Sequence, residues 1–300
     1  MSKARELCDI KSPGGLDYFI DLFCVVRIGK RAPKFFEKRG HKMAVFANDY
    51  IGILINQFGG YEHNELKLLF RFLAPLKNNF SSGTALDIGA NIGNHSLYFS
   101  DYFSQIYSFE PSPDTFHLLS FNTKWKKNIS INNIGLGNSK GTYELVENTT
   151  NFGGAYISSS NEKQENSTQI SVEKLDDLSL DFSNLTFIKI DVEGFEENVL
   201  KGGLNTLNKS QPLVVFEQTK KDFRNGSSPS LDLLKSLGYK FCWQQSEKSS
   251  KFWLIRRFFN LFNILGGFKR KIVTGEQVPK QFHSMLIAVP PRFFSTLKLD

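Results

Sequence analysis

Short apolar runs alternate with amphipathic segments along most of the chain. Runs such as TALDIGA, LTFIKIDV and PLVVFEQT are rich in branched and aromatic residues, whereas SPDTFHLLSFNTKW places apolar residues at helical spacing. Apolar strands that alternate with helices are typical of a parallel sheet covered on both faces. The pattern therefore predicts an α/β fold, with a mostly parallel sheet and helices on both faces. The last run, HSMLIAVP, follows an insertion, which allows the final strand to run antiparallel.

Three shorter segments complete this prediction. GTYELV indicates an added strand in a hairpin, and FEENVLKGGLNTLNK indicates one continuous helix. Residues 147–168 are polar and rich in Asn and Ser, so they predict a loop. Its segment NFGGAYISSS, residues 151–160, either borders a ligand pocket or is an ordinary hairpin loop.

The pattern divides the chain into an N-terminal helical extension, residues 1–47, and a main domain, residues 48–300. LDYFIDLFCVVRIGKR in the extension predicts a helix that packs on the domain, with a surface anchor as the second interpretation. A basic, aromatic insertion at residues 244–281 separates the last two strands. Its segment 248–271 predicts a helix packed on the sheet, a peripheral membrane contact, a lid or a dimer contact.

Composition and charge exclude several classes of protein. The apolar content of 40% is enough for a sizeable core. The formal net charge is +7, and residues 248–271 hold seven basic residues and no acid, so the remainder is near neutral, unlike a nucleic-acid-binding protein. Cys8, Cys24 and Cys242 fit neither a disulfide framework nor a zinc site. Without a secretory signal or a long apolar run, a cytoplasmic protein is expected.

The segment TALDIGANIGNHSLYFS places an acid and a glycine-rich turn between a strand and a helix. Ligands bind at such turns in open α/β sheets. Neither G-x-G-x-x-G nor G-x-x-x-x-G-K-[ST] is present, so no diphosphate cradle is required. S-adenosylmethionine, which carries a carboxylate and an ammonium, fits better, with Asp87 near the ammonium. Glu110 ends the second strand, where an acid can accept hydrogen bonds from ribose hydroxyls. A plain strand–helix turn and a capping acid remain the alternatives.

Five segments resemble the FkbM-type methyltransferases, a branch of the class I S-adenosylmethionine enzymes: DIGANIGNHS, FEPSPDTFHLL, NIGLGNSKG, LTFIKIDVEGFEENVLKGG and PLVVFEQ. DYIGILINQFGGYEHNEL resembles the lead-in that precedes the family's first motif. The resemblance covers roughly residues 48–240 and the final strand at 282–290. It implies a Rossmann-like sheet of seven strands. It also implies methyl transfer from S-adenosylmethionine to a hydroxyl of a sugar, glycan or related metabolite.

The resemblance also implies which residues bind the cofactor. Those expected around its methionine end are Asp87, Gly89, Asn91, Gly93 and Asn94, with Tyr61 and Glu62 closing over it. Glu110 would hold the ribose, and Gly135, Leu136 and, more weakly, Asn133 would lie near the adenine. For Tyr61 and Glu62 the structural alternative is a helix start, and for Gly135 it is a strand-ending turn.

An alcohol is a poor nucleophile, so a base or a metal is expected to assist the loss of its proton. Asp191 and Glu193 follow the fourth strand, and Glu217 ends the next one. These three candidate catalytic acids could serve as a base or hold a divalent cation such as Mg²⁺. Lys189 precedes them and could pair with one of the acids, whereas His63 and His95 are weaker candidates for the base.

Two other functional classes remain open from the residues alone. A dinucleotide-dependent oxidoreductase on the same fold would need the diphosphate-binding pattern that is missing here. A non-catalytic scaffold would have lost the acids that the cofactor and the chemistry need, yet Asp87, Glu110 and Asp191 are all present. A methyltransferase with a small-molecule or glycan acceptor, and without a nucleic-acid partner, is therefore the preferred prediction.

Overall fold

The computed structural model describes residues 14–39, 42–47, 49–146, 154–157, 167–224, 226–246 and 269–300. The predicted helix in the basic insertion, and most of the segment 151–160, lie outside these residues. The predictions of a membrane contact, lid or dimer contact through 248–271 therefore stay predictions.

The described part of the chain forms twelve strands, numbered here in chain order. They are β1 (Thr84–Ile88), β2 (Gln105–Phe109), β3 (Ile129–Asn132), β4 (Gly135–Leu136), β5 (Gly141–Val146), β6 (Tyr156–Ile157), β7 (Ser167–Glu173), β8 (Leu185–Ile190), β9 (Leu213–Gln218), β10 (Lys240–Ser246), β11 (Arg270–Thr274) and β12 (His283–Val289).

Eight of these strands form the main sheet, in the order β11-β10-β12-β9-β8-β1-β2-β3. Strands β9, β8, β1, β2 and β3 pair in parallel. The final strand β12 lies between β9 and β10 and is antiparallel to both. The predicted parallel α/β sheet and its antiparallel last strand are thus confirmed.

The sequence-based count of seven strands is wrong by one. The additional strand, β11, comes from the C-terminal part of the insertion and pairs antiparallel with β10, from Cys242 opposite Thr274 to Ser246 opposite Arg270. Its sequence, RKIVT, contains only two apolar residues, Ile272 and Val273, between charged and polar ones. The sequence therefore gives only a weak signal for a strand here, at the end of the basic segment.

A second, four-stranded sheet lies beside the main one, in the order β4-β7-β5-β6. The predicted hairpin strand GTYELV is its strand β5. The prediction of a loop over residues 147–168 is wrong at two places, because Tyr156–Ile157 forms β6 and β7 begins at Ser167. Strand β7 alternates polar residues with Ile170 and Val172, which are buried against β5.

The α-helices of the described residues are α1 (Leu16–Gly29), α2 (Ala32–Arg39), α3 (Tyr50–Phe58), α4 (His63–Phe72), α5 (Lys77–Ser81), α6 (Asn94–Phe99), α7 (Pro113–Thr123), α8 (Glu196–Gly202), α9 (Leu204–Ser210), α10 (Pro229–Ser236) and α11 (Phe294–Leu297). The prediction of one helix over FEENVLKGGLNTLNK is wrong, because α8 ends at Gly202 and α9 begins after Gly203. Gly202 lies against the backbone of Gly137, where a Cβ would come within 1.9 Å of the carbonyl oxygen.

Both faces of the main sheet carry a hydrophobic core. One face packs aromatic rings, including those of Phe70, Phe80, Phe99 and Phe187, between the sheet and α4, α5 and α6. The other face buries Ile188, with Val199 of α8 and Leu234 of α10. Successive strand residues point to opposite faces, so β8 contributes Phe187 to one core and Ile188 to the other.

The N-terminal extension contains two helices, but the first does not pack on the domain. None of the fourteen residues of α1 is buried, so the preferred interpretation of this segment as a packed helix is wrong. Helix α2 is attached through Phe35, whose ring lies against Gly59 at the end of α3. Within the described ranges, every helix is too short or too polar to cross a bilayer.

Candidate functional site

A cavity of about 310 Å³ lies at the carboxyl ends of β1, β2, β8 and β9. Its walls include the turn after β1, the acid that follows β2, and the residues that follow β8 and β9. The side facing the second sheet is apolar, with Ile134, Leu136, Leu145 and Ile157. This is the edge at which open α/β sheets bind their ligands.

The turn after β1 needs residues that tolerate a left-handed backbone. Gly89 has φ +74°, and a Cβ there would lie 1.8 Å from the carbonyl oxygen of Asp191. Asn91 has φ +49°, and its Oδ1 accepts a hydrogen bond from the Ile92 N–H at 2.6 Å. Asn tolerates this region better than other residues that carry a side chain, which explains why it stands at this point of the turn.

The Glu110 carboxylate ties this turn to the end of β2. Its Oε2 accepts the Asn91 N–H at 2.8 Å, and its Oε1 accepts the Ser112 N–H at 2.9 Å. Burial raises the pKa of Glu110 to about 7, although these two hydrogen bonds oppose the rise. Each carboxylate oxygen has two lone pairs, so both oxygens can accept a further hydrogen bond from a ligand.

Asn94, at the start of α6, holds the segment before α4 against the cavity. Its Oδ1 accepts the Tyr61 N–H at 3.0 Å, and its Nδ2 donates to the Tyr61 carbonyl at 2.9 Å. Tyr61 lines the cavity, whereas the neighbouring Glu62 lies 3.3 Å from Nε2 of His95. One amide side chain thus fixes the position of Tyr61 through two backbone hydrogen bonds.

A group of charges lies at one wall of the cavity, which Lys189 and Asp191 line and behind which Asp87 is buried. The Lys189 ammonium is 3.2 Å from Oδ1 of Asp87 and 3.6 Å from Oδ2 of Asp191, and it donates to the Gly89 carbonyl at 2.8 Å. Burial alone would lower the pKa of Lys189, but the charges of Asp87 and Asp191 outweigh burial and raise it. The Ser96 hydroxyl donates to Asp87 at 2.5 Å. Lys189 is therefore a cation that links the turn to the strand beside it.

Three carboxylates meet at the other end of the cavity. Asp191, Glu193 and Glu217 each have an oxygen within 4.8 Å of an oxygen of the other two. Burial and the neighbouring Asp191 raise the pKa of Glu193 to about 7, and the same two causes raise the pKa of Glu217 more strongly. Like charges this close favour retention of a proton, so the cluster can exchange a proton near neutral pH.

Ten of the fourteen predicted site residues line the cavity. They are Tyr61, Gly89, Asn91, Asn94, Glu110, Gly135, Leu136, Asp191, Glu193 and Glu217.

The other four predicted residues lie outside the cavity wall, at Glu62, Asp87, Gly93 and Asn133. Asp87 is fully buried, and its carboxylate forms an ion pair with Lys189. Gly93 precedes α6 with φ +91°, and the Asn133 side chain donates to the carbonyls of Glu110 and Pro111. Each of the four is the immediate sequence neighbour of a residue that lines the cavity.

Sequence reasoning missed several residues of the cavity wall. Tyr50 and Phe282 lie far apart in sequence and meet only in the folded chain, so no local pattern identifies them. Leu145 and Ile157 belong to β5 and β6, and their role depends on the second sheet. Glu196 does not line the cavity and was also missed, although its carboxylate accepts the N–H groups of Val192 and Gly194 and so shapes the turn after β8.

A wider groove of about 620 Å³ adjoins the cavity and shares Tyr50, Tyr61 and Phe282 with it. Its walls combine aromatic side chains with polar ones, including Gln244 and Arg270. Tyr50 and Phe282 are more than half exposed, so their rings are available to a ligand.

Comparison with known proteins identifies relatives of this chain. A curated relative, "Hexuronic acid methyltransferase AglP" from Haloferax volcanii, is 32% identical over 132 residues, which is 43% of this chain and 53% of that protein. The match thus spans about half of the relative's length. The solved structure of Methyltransferase FkbM from Methylobacillus flagellatus KT is 17% identical, with a TM-score of 0.41, covering 88% of this chain and 60% of that one.

A second solved structure is magnesium protoporphyrin IX methyltransferase (ChlM) from Synechocystis PCC 6803 with bound SAM. It is 8% identical with a TM-score of 0.40, and the alignment covers 93% of this chain and all of that one. The family description "Methyltransferase FkbM domain" matches residues 87–241, more than half of the chain. The protein therefore belongs to the FkbM methyltransferase family.

Proposed function

We propose that this methyltransferase transfers the methyl group of S-adenosylmethionine to a hydroxyl oxygen of a sugar or related metabolite. The observation that carries the proposal is the cavity itself. It joins a glycine turn and the Glu110 carboxylate at one end to a cluster of three acids at the other. The first end suits an adenosine-containing cofactor, and the second suits the removal of a proton from an alcohol.

The cofactor end fits S-adenosylmethionine in three respects. Glu110 keeps acceptor capacity on both oxygens, which suits the two ribose hydroxyls. The apolar wall at Ile134, Leu136 and Ile157 suits the adenine ring. The turn from Gly89 to Asn91 lines the cavity, and its backbone suits the methionine end. When bound, S-adenosylmethionine supplies a methyl group that already carries its leaving group, so positioning is the main task of the protein.

The acid cluster supplies the base in this proposal. Burial and repulsion raise the pKa of Glu217 to about 9, so the fraction that is ionised is a stronger base than an exposed carboxylate, and this fraction grows as the pH rises toward 9. A hydroxyl that reaches the cluster can lose its proton to Glu217 as the oxygen attacks. Tyr61 and Asn94 would hold the wall of the cavity at the entrance to this end.

A divalent cation at the same cluster is the second candidate. One oxygen from each of Asp191, Glu193 and Glu217 lies within 4.8 Å of the others, a spacing that suits oxygen ligands about 2.0–2.6 Å from a shared ion. Mg²⁺ would polarise the acceptor hydroxyl and lower its pKa. The two candidates make opposite predictions for a chelator.

The acceptor class rests on the relative and on the groove. AglP is named a hexuronic acid methyltransferase. In this chain the exposed rings of Tyr50 and Phe282 border both the cavity and the groove. Flat aromatic faces beside polar side chains suit a sugar ring, which has both apolar and hydroxyl-bearing edges.

The test is transfer of a labelled methyl group from S-adenosylmethionine to immobilised saccharides, with wild type, Glu217→Gln and the surface control Glu197→Gln. We expect wild type and Glu197→Gln to label a hydroxyl, and Glu217→Gln to lose about 100-fold or more in kcat with a similar KM for the cofactor. EDTA should abolish the wild-type reaction only if a cation is required. Labelling of nitrogen instead of oxygen would contradict the proposed chemistry.

A further inference from the structure

Helix α1 exposes an unusual amount of apolar surface. Eight of its large apolar side chains, those of Leu16, Tyr18, Phe19, Ile20, Leu22, Phe23, Val25 and Val26, are between 47% and 73% exposed. Water-exposed apolar area of this extent is unfavourable for a free surface, and contiguous patches of this kind mark interaction sites. The helix is therefore expected to have a partner.

The distribution of these side chains around α1 favours lipid over a protein groove. Asp17 and Asp21 are four residues apart and share one narrow face, whereas apolar residues occupy most of the remaining circumference. A helix that docks in a groove needs only an apolar stripe of about 100°. A lipid phase can contact a much wider arc, with the two acids turned toward water.

The length of α1 indicates how it would meet the bilayer. Fourteen residues span about 21 Å, which is shorter than the roughly 30 Å hydrocarbon core. Such a helix lies in the interface instead of crossing it.

Charge next to α1 complements an anionic surface. Arg27, Lys30, Arg31 and Lys34 fall within eight residues that contain no acid. Within the described ranges these four side chains form no salt bridge with an acid. Cations at the end of an apolar helix bind the headgroups of anionic lipids, and their aliphatic stems extend along the apolar surface.

Helix α2 connects this surface to the domain. The Phe35 ring packs on Gly59, two residues before Tyr61 of the cavity wall. On the adjacent helix α3, Tyr50, Ile53 and Phe58 are more than half exposed. Exposed apolar side chains therefore occur on α1 and, beyond α2, on α3, whose Tyr50 lines the candidate site.

From these observations we infer that α1 is an interfacial anchor that binds anionic lipid bilayers, with its apolar residues in the acyl boundary and Arg27 to Lys34 at the headgroups. This inference goes beyond methyl transfer and does not depend on the acceptor.

The test is co-sedimentation of the full chain with vesicles of phosphatidylglycerol and phosphatidylcholine, compared with phosphatidylcholine alone. Phe19→Ser with Phe23→Ser should weaken binding about 100-fold or more, because both rings leave the acyl boundary. Lys30→Gln with Lys34→Gln should weaken binding to the anionic vesicles about 25-fold, roughly fivefold for each charge, and this effect should shrink at high salt.

The control is Phe121→Ser with Trp125→Ser, which removes two exposed aromatic rings elsewhere on the surface and should leave vesicle binding unchanged. Titration with S-adenosylhomocysteine checks that each variant keeps its fold. Residues 248–271 are unchanged in every variant, so any contribution of that basic segment to vesicle binding is the same throughout. Wild-type binding that survives Phe19→Ser with Phe23→Ser would overturn the inference. So would a dimer that depends on α1 and forms without any vesicle binding.

Discussion

Replacement of Lys189 by Met should destabilise the protein strongly, because it leaves a buried acid without its cation. Asp87 is fully buried and the Lys189 side chain is only 8% exposed, so water cannot replace the lost partner. Removal of one member of a buried pair costs about 3–5 kcal/mol. The Ser96 hydroxyl still donates to Asp87, which keeps the expected loss near the lower end of that range.

The assay is urea unfolding followed by circular dichroism, with Lys201→Met as the matched control. Lys201 pairs with Glu197 on the surface of α8, so its replacement should cost less than about 1 kcal/mol. Adding Asp87→Asn to Lys189→Met should recover part of the stability, because it removes the unpaired charge. Equal losses for Lys189→Met and Lys201→Met would refute the interpretation of Lys189 as a buried structural cation.

Three further predictions concern the cavity. Gly89→Ala should prevent folding or lower the free energy of unfolding by more than about 3 kcal/mol, since the added Cβ would meet a backbone carbonyl. The control Gly194→Ala places its Cβ in open space at φ +95°, so in the same unfolding assay it should cost only about 1–2 kcal/mol. Asn94→Ala removes both hydrogen bonds to Tyr61, so calorimetry should show S-adenosylhomocysteine bound about tenfold more weakly; unchanged affinity would contradict the role of this clamp. Glu110 accepts hydrogen bonds from a ligand best as a carboxylate, and its pKa is about 7. The affinity for S-adenosylhomocysteine should therefore fall about tenfold from pH 8 to pH 6, whereas the affinity of Glu110→Gln should not change with pH over this range.

Local patterns predict much of this fold. The order of strands and helices follows from alternating apolar runs, and the turn at Gly89 and Asn91 lies between β1 and α6, as the spacing requires. Glu110 and Asp191 come together because parallel strands end at one edge of the sheet, so their position in sequence is enough to predict a shared site.

The remaining features depend on contacts between distant segments. The break between α8 and α9 reflects the approach of Gly202 to Gly137, which no helical pattern reveals. The placement of Asp87 behind the cavity wall depends on its ion pair with Lys189, 102 residues later. The apolar run of α1 has the pattern of a packed helix, and only the structure shows that none of its residues is buried.

The assignment of the cavity to S-adenosylmethionine is tested most directly by calorimetric titration of wild type and Glu110→Ala with S-adenosylhomocysteine. We expect micromolar binding by wild type and a loss of about 100-fold or more in the variant, because a buried carboxylate that accepts two ribose hydroxyls contributes charged hydrogen bonds. No binding by folded wild type, or equal binding by the two proteins, would contradict the assignment of this cavity to S-adenosylmethionine.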